Sequence, residues 1–148
     1  LPTSSNITVG GASVNTNADG GTYICYAFSP IQGYSKFGSY VGNGNSNGAF
    51  AYTGFKPAFV MIKRTDSTGG WTIYDTKRGY NGNNYELFPH SAEAEYTGTS
   101  YFEADILSNG FKLRLTDGQI NAAGGTYIYM AFAENPFTTS TGIPTTAR

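Results

Sequence analysis

The chain has 148 residues, with 9 Lys and Arg against 10 Asp and Glu, and its aromatic fraction of 16% exceeds its charged fraction of 13%. An average domain is roughly 25% charged, so this balance excludes both a disordered acidic tail and a protein with a basic nucleic-acid footprint. With one Cys and one His, it also excludes an internal disulfide, a multi-cysteine zinc site and a metal site built on paired imidazoles, and no cofactor is expected.

Apolar clusters along the chain are short, alternate with polar residues and end at Gly, Asn, Asp or Pro, which is the pattern of strands. In chain order the predicted strands are residues 7–9, 22–29, 35–41, 49–53, 58–64, 71–75, 85–88, 101–107, 110–115 and 126–133, with one helical turn within 91–99. In 110–115, Phe111, Leu113 and Leu115 share one face while Lys112 and Arg114 share the other, so the first three are predicted core. Ser108-Asn109-Gly110 supplies the Asn-Gly pair of a tight hairpin. Ten strands with short connections predict an all-β chain, an antiparallel β-sandwich of jelly-roll type. The longest apolar runs, 58–62 and 127–133, fall far short of the roughly 20 residues of a spanning helix, so no membrane span is expected.

Gly20-Gly21-Thr22-Tyr23-Ile24-Cys25-Tyr26-Ala27-Phe28 returns as Gly124-Gly125-Thr126-Tyr127-Ile128-Tyr129-Met130-Ala131-Phe132, and Ile7 and Val9 stand where Phe111 and Leu113 stand in the second copy. Two readings are open. Either two strands of one sheet share a useful aromatic alternation, or residues 1–33 are a partial repeat copy, a surplus N-terminal hairpin beside a whole sandwich domain at 34–137. Residues 138–148 form a Thr-rich tail. A surplus hairpin packs on its own domain or adds strands to a neighbouring copy, since unpaired edges template such addition. Tyr23, Ile24, Tyr26 and Phe28 are then the predicted inter-subunit residues.

Lys36-Phe37-Gly38-Ser39-Tyr40-Val41-Gly42-Asn43-Gly44, Gly54-Phe55-Lys56-Pro57-Ala58-Phe59-Val60-Met61-Ile62-Lys63-Arg64, residues 71–79, Ser108-Asn109-Gly110-Phe111-Lys112 and Gly124 to Phe137 together resemble a repeat domain of bacteriophage tail-fibre and other virion-associated proteins. The likeness covers about two-thirds of the chain. It implies a structural or host-contacting role, in an extracellular or virion setting, and supplies no catalytic residues.

Few constellations carry chemistry. His90, between Pro89 and Ser91, has no local triad partner and reads as a surface residue. Glu93, Glu95, Glu103 and Asp105 cluster in sequence but lack a calcium-loop pattern, so they read as a solvated face and no metal is expected. Trp71, Tyr74, Tyr80 and Tyr85, with Asn83 and Asn84 from the loop 81–84, are the candidate carbohydrate platform: rings to stack on a sugar and amides for its hydroxyls. The loop 42–48 matches a phosphate loop in glycine content alone. Lys63-Arg64 and Lys77-Arg78 are too sparse for a nucleic-acid stripe. Asn6 heads an N-x-Thr sequon, and Thr139 and Thr145 sit in a mucin-like tail, which makes these three the candidate glycosylation sites.

The expected function is therefore non-enzymatic: a structural subunit of an extracellular fibre or phage tail appendage, whose partners are copies of itself joined by strand addition. The rival expectation is a carbohydrate-binding adhesin that contacts cell-surface glycans.

Overall fold

The computed structural model describes residues 6–11, 15–82, 84–97 and 103–136. Seven strands are formed among them: β1 Ser35–Val41, β2 Phe50–Tyr52, β3 Pro57–Arg64, β4 Trp71–Asp75, β5 Ala104–Leu107, β6 Gly110–Leu113 and β7 Thr126–Ala133. They make one four-stranded sheet in the order β1-β7-β3-β4 and one three-stranded sheet in the order β2-β6-β5, with every ladder antiparallel. The all-β sandwich architecture is thus present, and no helix long and apolar enough to cross a membrane occurs among the described residues.

Alternation decides which face is buried. On β7, Tyr127, Tyr129 and Ala131 point into the core while Ile128, Met130 and Phe132 point outward; on β3, Val60 and Ile62 are buried between outward Phe59, Met61 and Lys63. Phe111 and Leu113 of β6 are fully buried, as their pattern predicts, whereas β6 ends at Leu113 and leaves Leu115 half-buried. Phe111 joins the layers edge-on: its ring lies 5.2 Å from Tyr129 and 6.0 Å from Tyr40. Tyr40 stacks in turn on Tyr127 at 5.0 Å and donates its hydroxyl to Ile120 O at 2.7 Å, so its polar end is satisfied inside the core. Across the layers β1 touches β2 and β3 touches β5, which puts the β1 and β2 edges on one side of the sandwich.

Several predicted strands are corrected. Residues 7–9 and 22–29 join no ladder, so the described part of the N-terminal segment stands outside both sheets and forms no hairpin. Residues 85–88 contribute only two isolated bridges, Ile73 with Leu87 and Glu86 with Tyr96. Of the segment 91–99 expected to hold a helical turn, residues 91–97 contain none and 98–99 lie outside the described residues. Of 101–107, only Ala104–Leu107 is strand among the described residues.

Candidate functional site

The repeated sequence is also a repeated structure. In the second copy, Tyr127 Oη accepts the Ala122 N–H at 2.8 Å, Gly125 N donates to Ala122 O at 3.0 Å and Asn121 Nδ2 donates to Leu115 O at 2.7 Å. In the first, Tyr23 Oη accepts the Ala18 N–H at 2.9 Å, Gly21 N donates to Ala18 O at 3.0 Å and Asn17 Nδ2 donates to Gly11 O at 3.0 Å. Gly20 and Gly124 occupy matching left-handed positions, φ 70° and 73°, which is why each turn has Gly there. The same local code therefore builds the same clamped turn twice.

The two copies part company beyond the turn. After Tyr127 the chain enters β7, in the middle of a sheet; after Tyr23 it runs unladdered, with Ile24 81%, Tyr26 80% and Phe28 58% exposed. Phe28 alone finds a partial seat, its ring 5.9 Å from Phe37 and 6.0 Å from Phe132 on the outer face of the four-stranded sheet. Three apolar side chains in a segment with strand alternation and no sheet are a surface feature that monomers rarely keep without use.

The sheet edges are treated unequally. On β5, Asn84 Nδ2 donates to Ala104 O at 2.8 Å, and its Oδ1 accepts the N–H groups of Glu103 and Ala104 at 2.9 and 3.3 Å. Asn81 repeats the device, donating to Ile106 O at 3.0 Å and accepting Ile106 N–H at 2.6 Å. Two side-chain amides thus imitate a neighbouring strand and close that edge. β4 is partly closed by the Ile73–Leu87 bridge and by His90, whose Nδ1 accepts the Trp71 N–H at 3.0 Å. β1 is left open. Ser35 exchanges both backbone hydrogen bonds with Ile31, at 2.9 and 3.1 Å, on the side away from β7. Because antiparallel strands alternate the direction of their N–H and C=O groups, Phe37, Ser39 and Val41 aim theirs at the same outer edge, where no further described residue forms a bridge.

The carbohydrate platform does not assemble as predicted. Tyr74 is fully buried, on the opposite face of β4 from Trp71, and donates its hydroxyl to Glu103. Asn84 is also fully buried, its amide committed to β5, so neither residue can meet a sugar. Tyr80 is half-buried with Lys56 Nζ 5.4 Å from its ring centroid, Tyr85 is half-buried, and Asn83 lies outside the described residues. Trp71 instead lines a shallow apolar groove with Phe37, Ile128 and Met130 on the outer sheet face. Asn6 is exposed, as a glycosylation site requires, while Thr139 and Thr145 lie outside the described residues.

Several of the charged candidates are paired. Glu95 joins Arg78 at 2.6 Å, Asp105 joins Arg114 at 2.6 Å and Arg64 joins Asp66 at 2.7 Å, and no metal-binding group of three or more such side chains occurs among the described residues. Sequence reasoning missed one buried pair. Glu86, almost fully buried, is pushed up to about 9 by burial first and then by the hydrogen bond and charge of Glu103, and its Oε1 meets no partner among the described residues. Nothing in the local pattern of 85–88 signals that Glu86 is interior or that Glu103, from a distant part of the chain, faces it.

The family model described as a domain of unknown function, DUF7483, matches residues 1–136, running through the N-terminal segment and the sandwich together. No curated protein and no solved structure matches the chain.

Proposed function

Since the chain belongs to this family of unknown function, membership brings no activity with it, and from the geometry we propose a non-enzymatic structural subunit whose copies join by strand addition. The observation that carries the reading is the segment at 22–28: it repeats β7 in sequence, repeats its entry turn in hydrogen bonding, and yet exposes Ile24, Tyr26 and Phe28 with no ladder. A second copy's sheet would supply that ladder, with main-chain hydrogen bonds giving adhesion and the alternate side chains giving buried area and register. The setting, an extracellular fibre or a phage tail appendage, is proposed on the motif resemblance. Carbohydrate binding is the weaker reading, because Tyr74 and Asn84 are interior.

Light scattering and electron microscopy of the full-length chain test this. Wild type is expected to form polymers, and the double variant Ile24→Asp/Tyr26→Asp, altered only at exposed positions, to remain monomeric with an unchanged circular dichroism spectrum. A wild type that stays monomeric at high concentration, or a double variant that polymerises equally well, overturns the reading.

A further inference from the structure

Strand addition needs an acceptor, and the edges of the sandwich are not equivalent. We infer that the acceptor is the outer edge of β1, where Phe37, Ser39 and Val41 of one copy receive residues 22–28 of a second copy, so that the four-stranded sheet gains a strand from its neighbour. This rests on the strand-addition reading and adds to it the identity of the surface.

Four observations favour that edge. First, β5 is closed by the paired amides of Asn81 and Asn84, β4 is partly closed by Leu87 and His90, and β2 is only three residues long, with Tyr52 O accepting from Tyr129 Oη at 3.4 Å, whereas on the seven-residue β1 only Ser35 is occupied by a described residue, Ile31. Second, the chain's own segment is turned away from β1 immediately beside that bridge. Ser29 O accepts from the Ser35 hydroxyl at 3.1 Å instead of pairing with backbone, and Phe28 is carried onto the outer face against Phe37 and Phe132. The edge from Phe37 to Val41 is therefore left for a strand from elsewhere.

Third, the side chains match. If residues 22–28 alternate as β7 does, Ile24, Tyr26 and Phe28 fall on one face, as Ile128, Met130 and Phe132 do. Placed beside β1, that face continues the outer surface on which Phe37, Val41 and Ile128 already form an exposed or half-exposed apolar strip, while Cys25 and Ala27 supply small side chains to the inner face. Fourth, the contact is free of like-charge conflict, since neither 22–28 nor 37–41 contains a charged residue.

Two kinds of full-length variant separate the edge from the segment. Ser39→Pro removes an N–H that points to the outer edge and leaves the β1–β7 ladder intact, a position where edge strands tolerate proline. Ser39→Lys/Val41→Lys charges the same edge without touching the backbone, in case the proline variant fails to fold. Either edge variant, folded by circular dichroism, is expected to lose polymers at concentrations where wild type forms them. Mixed one to one with Ile24→Asp/Tyr26→Asp, it should give a dimer, because one partner keeps a working strand and the other a working edge. If both edge variants fold and polymerise as wild type does while Ile24→Asp/Tyr26→Asp does not, the β1 assignment is overturned and the strand-addition reading stands. If Ile24→Asp/Tyr26→Asp also polymerises, the reading itself falls. Folded variants that fail to form the mixed dimer likewise overturn the β1 assignment.

Discussion

At the scale of single residues, the interior holds polar groups that alternation alone does not account for. Glu86 titrates near 4.5 in an unfolded chain but is held protonated up to about 9 in the fold, by burial and by Glu103. Between those values the folded protein keeps a proton that the unfolded chain releases, so its contribution to stability is complete below pH 4.5 and is lost as pH rises towards 9. Glu86→Gln should flatten that slope: across this window the wild-type melting temperature should fall more steeply than the variant's, and parallel curves would show that the pair does not govern it. Tyr127 offers a second test. Its hydroxyl accepts from Ala122 N and donates to Gly118 O at 2.9 Å. Tyr127→Phe should therefore destabilise by about 1–3 kcal/mol in urea unfolding, the usual range when buried partners are left unsatisfied. Tyr23→Phe, in the exposed copy of the same turn, should cost less, because water can replace the lost partner.

At the scale of elements, the four strands of the larger sheet are the ones whose bounds were most legible in the sequence. β1, β4 and β7 occupy the residues predicted for them, and β3 differs by one residue at its start. The failure at 22–29 is instructive because its sequence is nearly that of β7. Alternation reports that a segment suits a sheet; it does not report whether a neighbouring strand exists, and here no described residue supplies one. The misplaced sugar platform has a similar cause. An amide such as Asn84 and a phenol such as Tyr74 read as surface chemistry in sequence, yet each is buried because a specific partner, β5 backbone or Glu103, satisfies it. Those partners come from distant positions and leave no local signal. Two substitutions probe the elements themselves. Leu113→Ala, in a fully buried site between the layers, should cost about 2–5 kcal/mol by cavity formation, read as a lowered urea midpoint. Asn84→Ala should strip the cap from β5, lower the urea midpoint and increase non-specific aggregation by exposing a bare edge; a variant as stable and as soluble as wild type would show that the amide is dispensable.

At the scale of the whole molecule, the proposed joint, a strand given by one face and taken by another, is a head-to-tail contact. Such a contact uses two different patches, so each added copy presents a fresh acceptor and growth continues unless the rotation closes a ring. The net charge of −1 leaves little long-range repulsion to oppose this growth. A copy that can accept but not donate must then stop the chain. Ile24→Asp/Tyr26→Asp keeps β1 intact and has lost its donor, so it binds the free strand at one filament end and offers none in return. Mixed with wild type before assembly at a ratio of about one in ten, it should limit filaments to about ten copies on average, as expected for a terminator in a heterologous polymer. Length distributions from electron micrographs read this directly. A two-fold contact, in which the same patch faces itself, would respond differently: the variant would be left out and the remaining assemblies would keep their size. Filaments unchanged in length at that ratio would therefore rule out the head-to-tail joint between the segment at 22–28 and its acceptor.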